Sequence, residues 1–116
     1  MSQEFGNQSK SYLSRLERSA LNSFKAFSYE PIDIDGTIKN LNIPEGAKYA
    51  LLTLESADSG IAARYLETKQ TIVSTTLGMA LAHLDRVDVT EAQNLSQVQI
   101  IRVQAGVTTL HVQYYK

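Results

Sequence analysis

Short segments rich in β-branched and aromatic residues follow one another through the second half of the chain, and turn signals separate most of them. The turns are predicted at ADSG (57–60), TTLG (75–78), EAQN (91–94) and QAG (104–106). Short strands at this spacing, without a long helical pattern between them, are typical of antiparallel sheets rather than of a parallel α/β sheet. The pattern predicts a mainly β domain at residues 29–116, built as an antiparallel β-sandwich or jelly-roll-like barrel of about six to eight strands.

The segment YALLTLES (49–56) is apolar on both sides, although strands of antiparallel sheets commonly leave one side in water. Because side chains alternate along a strand, the segment divides into two faces. One face carries Ala50, Leu52 and Leu54, and the other carries Tyr49, Leu51 and Thr53. The first set predicts a core face, and the second needs a cover that is either another part of this chain or a neighbouring subunit.

Three further segments of the domain carry specific predictions. TIKNLNI (37–43) is predicted to be a short strand. In VQIIRV the apolar phase slips between Ile100 and Ile101, which indicates a β-bulge. In the last strand, alternation predicts that Tyr114 lies in the core, whereas Tyr115 faces the other way and contacts another subunit.

Residues 1–28 differ from the rest of the chain and are predicted to form an N-terminal arm. An apolar stripe recurs at steps of three and four, at Leu13, Leu16, Ala20, Phe24 and Phe27. This spacing predicts a helix over residues 12–26 with one apolar face. The arm carries Lys10, Arg15, Arg18 and Lys25 against Glu4 and Glu17, a net charge of +2. Because so short a helix is marginal in water by itself, we expect it to dock on its own domain or on a neighbour.

The composition of the chain excludes or disfavours several kinds of function. The 116 residues fit one domain, and the absence of cysteine excludes disulfides and thiolate metal sites. A net charge of −1 provides no basic field for nucleic acid. The polar start MSQEFGNQSK lacks the apolar stretch of a signal peptide, and no apolar run is long enough to span a bilayer. We therefore expect a protein that binds neither nucleic acid directly nor a membrane.

Few residues suggest catalysis or metal binding. DIDG (33–36) resembles the start of a calcium loop, but Pro44 occupies the position of the bidentate acid, so an acidic turn is the favoured interpretation. His83 and His111 stand among apolar neighbours with no ligand at helical spacing, which indicates surface or packing roles. No nucleophile motif accompanies them. The sequence predicts no enzyme, no cofactor and no metal site.

Several stretches taken together resemble the small all-β structural proteins of tailed-bacteriophage virions and prophages. They are IPEGAKYALLTLESAD, ARYLE, LGMAL, VQIIRV and LHVQYYK, within residues 40–116. The shared pattern is a proline and glycine turn into an apolar strand, an arginine-aromatic strand, and a last strand with two tyrosines. The resemblance implies a virion protein made in the host cytoplasm, namely a capsid decoration or cement protein or a neck or tail accessory protein. It implies no catalytic residues.

The leading hypothesis is therefore a non-enzymatic assembly protein that self-associates, as a homotrimer or ring, and docks on capsid, neck or tail proteins. The residues expected at its interfaces are Leu13, Leu16, Phe24, Tyr49, Leu51 and Tyr115. The alternative is a carbohydrate- or receptor-binding module of a phage fibre or tail tip, since jelly rolls serve both roles. The absence of tryptophan weighs against a sugar site.

Overall fold

The computed structural model describes residues 24–116, which fold into seven strands and one 3-10 helix. The strands are β1 (Ala26–Asp33), β2 (Tyr49–Ser56), β3 (Ile61–Leu66), β4 (Met79–Ala82), β5 (Arg86–Val89), β6 (Gln99–Arg102) and β7 (Thr108–Tyr115). The 3-10 helix (Ala92–Gln97) lies between β5 and β6. The prediction of a mainly β domain is confirmed. None of the helical structure in this range is long and apolar enough to cross a membrane.

The strands form two antiparallel sheets. β1, β7, β2 and β5 are neighbours, in that order, in a four-stranded sheet, and β4, β3 and β6 form a three-stranded sheet. β2 and β7 lie at the centre of the larger sheet and pair along their whole length, from Tyr49 with Tyr115 to Ser56 with Thr108. Both strands place an apolar residue at nearly every second position, which suits a sheet with one face toward a core.

One hydrophobic core contains residues from both sheets. The larger sheet contributes Ala50, Leu52, Leu54, Val89, Leu110, Val112 and Tyr114, and the smaller sheet contributes Ala62, Ala63, Leu81 and Ile100. Leu52, for example, is 1% exposed and lies in register between Val87 and Val112. The predicted core face of residues 49–56 and the core position of Tyr114 are therefore confirmed.

A loop of residues 67–78 covers the other side of the three-stranded sheet. Gln99 of β6 points to this side and is buried at 3% exposure. Its side-chain oxygen accepts from the Val73 N–H (3.3 Å), and its nitrogen donates to the carbonyls of Thr68 (2.6 Å) and Thr71 (2.8 Å). The loop is thus held by a buried amide whose polar atoms all have partners, as burial requires.

The loop returns to the sheet through Gly78. Its φ of +135° is a backbone conformation that favours glycine, and a Cβ there would lie 2.9 Å from Val73 Cγ2. The Arg64 guanidinium donates to the carbonyls of Thr75 (3.1 Å) and Gly78 (2.9 Å). Arg64 therefore holds the loop in place.

The predicted β-bulge between Ile100 and Ile101 is wrong. β6 pairs with β3 without a shift in register. Both isoleucines are buried, because Ile100 faces the core and Ile101 faces the side that the loop covers. A regular strand can accept two consecutive apolar residues when both of its sides are covered, so no bulge is needed.

The predicted strand at residues 37–43 is also wrong. Within this segment Lys39 alone forms a β-bridge, with Ile100, through backbone bonds of 2.9 and 3.0 Å. The side-chain amide of Asn40 donates to the Val98 carbonyl (2.9 Å). Side-chain hydrogen bonds of this kind compete with a continuous ladder, and here they help to hold the segment along the edge of β6.

The helix predicted over residues 12–26 lies largely outside the described residues. At its end the prediction is wrong, because Ala26 is the first residue of β1 and not part of a helix. Phe27, which was assigned to the helical stripe, lies in β1 and packs against the core. β1 pairs with β7, so the larger sheet begins before residue 29.

Replacing Leu52 by Ala should lower the free energy of unfolding by about 2–5 kcal/mol, because the removed atoms leave a cavity in the shared core. Replacing the half-buried Leu51 by Ala should cost less than the Leu52 change, about 1 kcal/mol for the monomer, because Leu51 lies outside the shared core. Urea melts of the two variants at a protein concentration that keeps the chain monomeric measure both values. Equal losses would contradict the assignment of the two faces.

Candidate binding surface

The side of the four-stranded sheet that points away from the core is called the outer face. Side chains alternate along each strand, so the residues between the core positions of β2 and β7 lie on it. The outer face carries Tyr29 and Pro31 of β1, Tyr49, Leu51, Thr53 and Glu55 of β2, Arg86 and Asp88 of β5, and Thr109, His111, Gln113 and Tyr115 of β7. It is a mixed surface of aromatic, aliphatic and charged side chains.

Three aromatic rings gather at one end of the outer face, and they are called the aromatic cluster. The ring centroids of Tyr49 and Tyr115 are 4.8 Å apart, and those of Phe24 and Tyr49 are 6.5 Å apart. The Tyr49 side chain is 7% exposed, whereas Phe24 and Tyr115 remain half-buried. Ring pairs at these separations contribute stability beyond their buried area.

Tyr49 uses its polar end as well as its ring. Its hydroxyl donates to the Asp88 carboxylate at 2.7 Å. Burial, followed by this hydrogen bond and the negative charge of Asp88, raises the pKa of the Tyr49 phenol well above its usual value. The cluster is therefore anchored to β5 as well as to β7.

The structure brings together four of the six residues that were predicted at interfaces. Phe24, Tyr49 and Tyr115 form the aromatic cluster. Leu51 lies on the same face, two positions after Tyr49 in β2, and pairs with Gln113. Leu13 and Leu16 lie outside the described residues. Tyr49 is buried by side chains of its own chain, whereas Leu51 is half-buried.

A chain of hydrogen bonds crosses the middle of the outer face. The Tyr29 hydroxyl lies 2.6 Å from His111 Nδ1, and His111 Nε2 lies 2.7 Å from Glu55 Oε1. If Glu55 is ionised it only accepts, so a neutral His111 carries its proton on Nε2 and Nδ1 accepts from the tyrosine. This Tyr29–His111–Glu55 chain fixes the tautomer of the histidine and orients the phenol.

The sequence did not predict the hydrogen bonds between Tyr29, His111 and Glu55. His111 was interpreted as a surface or packing residue, since neither of its partners is near it in the sequence. Tyr29 is 82 positions away and Glu55 is 56 positions away. The alternation of β7 places His111 opposite the core residues, but the contacts depend on the register of β1 and β2 against β7.

A shallow cavity of about 300 Å³ adjoins the hydrogen-bonded chain at Glu55. It is lined by Glu55, Ser56, Ala57, His83, Val107 and Thr109. His83 Nδ1 accepts from the Ser56 N–H at 3.1 Å, which leaves Nε2 as the proton-bearing nitrogen of the neutral ring. Both histidines of the chain therefore lie near Glu55, one bonded to it and one lining the same cavity.

The acidic turn predicted at residues 33–36 is present. Asp35 accepts from the backbone N–H (2.9 Å) and the hydroxyl (2.6 Å) of Thr37, and it lies 3.5 Å from the Lys39 ammonium. The two Thr37 hydrogen bonds, with a smaller contribution from the charge of Lys39, lower the pKa of Asp35 to about 2. Across residues 24–116, no three His, Cys, Asp or Glu side chains are grouped so that they could hold a metal ion.

Comparison of the chain with protein-family models, with curated proteins and with solved structures found no match. The stretches on which the predicted resemblance to phage structural proteins rests lie mainly on strands: YALLTLES forms β2, ARYL lies within β3, and LHVQYY lies within β7.

Replacing Tyr49 by Phe should change how stability responds to alkaline pH. The folded protein holds the phenolic proton above the usual pKa of 10.0, whereas the unfolded chain loses it near pH 10. The stability that this shift contributes is full below pH 10 and is lost as the pH rises. Above pH 10 the wild type should therefore release about one proton more on unfolding than the variant does.

Urea unfolding at a series of pH values from about 9 to 12 measures this difference. Asp88→Asn is the matched control, because it keeps the phenol buried but removes the neighbouring charge. Its pH dependence should fall between those of the wild type and Tyr49→Phe. Three parallel curves would contradict the role assigned to Tyr49.

Proposed function

We propose that this protein is a non-enzymatic structural component of a tailed-phage virion, either a capsid decoration or cement protein or a neck or tail accessory protein. It acts by self-association and by docking on other virion proteins. The observation that supports this proposal best is the outer face, where the partly exposed aromatic cluster adjoins the half-buried Leu51. The resemblance of the strand sequences to phage structural proteins supplies the biological setting.

The aromatic cluster has the chemistry of a protein interface. Tyrosine is enriched among residues that dominate binding energy, because its ring buries a large area while its hydroxyl keeps a polar partner. Tyr115 and Phe24 still have surface to bury, and Tyr49 already holds them in place. A rigid aromatic group loses little conformational entropy on binding, which favours association.

The arrangement of the two sheets also supports this proposal. The two sheets, of four and three strands, share one core, which supports a β-sandwich related to jelly rolls. Such domains present broad sheet faces that symmetric copies can share. In a homotrimer or a ring, every subunit would use the same part of its outer face to contact its neighbour.

The point where the N-terminal arm leaves the sheet supports a role for it in assembly. Lys25 and Lys116 exchange backbone hydrogen bonds of 2.9 and 3.0 Å, which fixes the chain beside β7 immediately after Phe24. The preceding residues therefore begin at the aromatic cluster. We propose that Leu13 and Leu16 extend its apolar surface to a neighbouring subunit or virion protein.

Replacing Leu51 by Arg should weaken self-association without unfolding the domain. The substitution places a charge at the centre of the proposed interface, while the half-buried site at the protein surface lets the longer side chain reach solvent. Ile72→Arg is the matched control, because Ile72 is 61% exposed in the loop over the other sheet. Light scattering coupled to size exclusion should give a smaller oligomer for Leu51→Arg and the wild-type size for the control. A monomeric wild type, or equal sizes for all three, would contradict self-association through this face.

The virion assignment requires a separate measurement. Particles released after prophage induction or infection, purified through a density gradient, should contain peptides of this chain at a fixed ratio to the major capsid protein. Deletion of residues 1–23, which leaves β1 intact, should reduce that ratio while the β domain stays folded by circular dichroism. Particles with a full set of capsid and tail proteins but without this chain would refute the assignment.

A further inference from the structure

Tyr29 is unusual among the aromatic residues of the outer face because most of its ring is in solvent. Tyr29 is 57% exposed and lies in register with Gln113, two positions before Tyr115 of the aromatic cluster. Single exposed side chains of this size are common on protein surfaces, so the groups around the ring decide whether it can bind a ligand. The surroundings of this ring indicate what it binds.

The ring is held in a fixed position. The centroids of Tyr29 and His111 are 5.9 Å apart with an angle of 12° between the planes, and the hydroxyl to Nδ1 distance is 2.6 Å. This combination places the rings side by side rather than face to face, so that they form one extended flat surface. Glu55 holds the histidine from its other nitrogen at 2.7 Å. A platform fixed in advance loses little entropy when a ligand binds.

Polar groups with unused hydrogen-bonding capacity surround the platform. Glu55 binds His111 through Oε1, which leaves Oε2 as an acceptor, and its side chain is 62% exposed. The Gln113 side chain is exposed and, among the described residues, makes no side-chain hydrogen bond within the usual limits. A carboxylate and an amide beside a flat ring match a ligand that has apolar C–H faces and hydroxyl edges.

The charges near the platform favour a neutral ligand. Glu55 is acidic, and Asp33 lies at the same end of the outer face, in register with Thr109. Arg86 is the nearest cation on the face, in register with Thr53 on the far side of Glu55's strand. An anionic ligand would meet two carboxylates before one guanidinium, so Coulomb repulsion disfavours it.

The candidate site extends across several strands of the sheet. The platform and Glu55 span three neighbouring strands, β1, β7 and β2, and strands lie about 4.8 Å apart. The cavity of about 300 Å³ continues from Glu55 toward His83, which offers an imidazole N–H. That volume is at the lower end of the range for small-ligand pockets, about 300–1,000 Å³.

We propose that Tyr29, His111, Glu55 and Gln113 form a binding site for a short neutral oligosaccharide, with the cavity at His83 taking its end. One pyranose face stacks on the Tyr29–His111 platform, and ring hydroxyls bind Glu55 Oε2 and the Gln113 amide. A protein partner fits less well, because binding hot spots sit in apolar, desolvated pockets, and this ring is bordered by exposed polar groups. The site adjoins the proposed assembly surface, because Gln113 lies in register with Leu51, but stacking on Tyr29 and His111 does not require the chain to assemble.

The test is a titration of the isotopically labelled full chain, followed by amide ¹H–¹⁵N spectra. The probes are cellohexaose, maltohexaose and chitohexaose, with a hyaluronan hexasaccharide as the acidic comparison. At least one neutral probe should shift the amides around Tyr29, His111 and Gln113, and the acidic probe should not. Tyr29→Ala should weaken binding about tenfold or more, as expected for the loss of an aromatic stacking partner.

Control variants keep the result interpretable. Ile72→Ala removes an exposed apolar side chain elsewhere and should leave the affinity unchanged. Tyr29→Phe keeps the ring but loses the bond to His111, so it should weaken binding less than Tyr29→Ala. If Tyr29→Ala does not fold, Tyr29→Phe and Gln113→Ala decide, because both alter only exposed polar groups.

Four outcomes would overturn the proposal. One is the absence of shifts with every neutral probe up to about 10 mM, a concentration that detects even millimolar affinities. Another is binding that is unchanged in Tyr29→Ala, or in both substitute variants if Tyr29→Ala does not fold. The third is binding of the acidic hexasaccharide as strong as that of the neutral probes. Shifts that depend on protein concentration instead of sugar would assign Tyr29 to a contact between copies and would also overturn it.

Discussion

β2 and β7 each contain eight residues and pair with each other along their full length, and this pairing sets which side chains lie on each face of the larger sheet. Leu52 opposite Val112 and Leu54 opposite Leu110 fill the core. The residues between them face outward, where Leu51 meets Gln113 and Thr53 meets His111. A slip of one residue would move leucines into water and polar residues into the core, so the buried face enforces the register. The outer face is a consequence of the same register.

The sides of the two sheets that point away from the core are covered differently. The three-stranded sheet is covered by its own loop, which Gln99 and Arg64 hold through hydrogen bonds to backbone carbonyls. Within residues 24–116, the aromatic cluster covers one end of the outer face of the four-stranded sheet, where it packs on Tyr49. The rest of its outer face is a preorganised surface with exposed polar atoms. This difference explains why candidate functions concentrate on the larger sheet.

Polar residues in this molecule are used to connect distant segments. Glu30 of β1 accepts from the hydroxyl of the buried Tyr114 at 2.5 Å and from the backbone N–H of Asn42 at 3.1 Å. Burial of the ring and this hydrogen bond raise the pKa of the Tyr114 phenol. The same carboxylate therefore joins the edge strand, the core and the segment that leads to β2. The Tyr29–His111–Glu55 chain does the same across three strands of the outer face.

The sequence by itself determined the mainly β class, the positions of most strands and the two faces of β2 and β7. These features are readable because strand periodicity is local: every second residue shares an environment, whichever strand lies beside it. It also placed Tyr49 and Leu51 opposite the core face of one strand and Tyr115 opposite the core face of the last strand, and the pairing of β2 with β7 then puts all three on one side of the sheet.

Tertiary structure decided what depends on partners far away in the chain. β1 exists because β7 offers it an edge, although its own sequence carries Pro31 and little alternation. Residues 37–43 have the sequence pattern of a strand, but the contacts that hold them beside β6 are the backbone bridge at Lys39 and the side-chain hydrogen bond of Asn40. Ile101 needs no bulge because a loop more than twenty residues earlier in the chain covers it. His111 meets Tyr29 and Glu55 only through strand register, and register is set by the packing of the whole core rather than by any single segment.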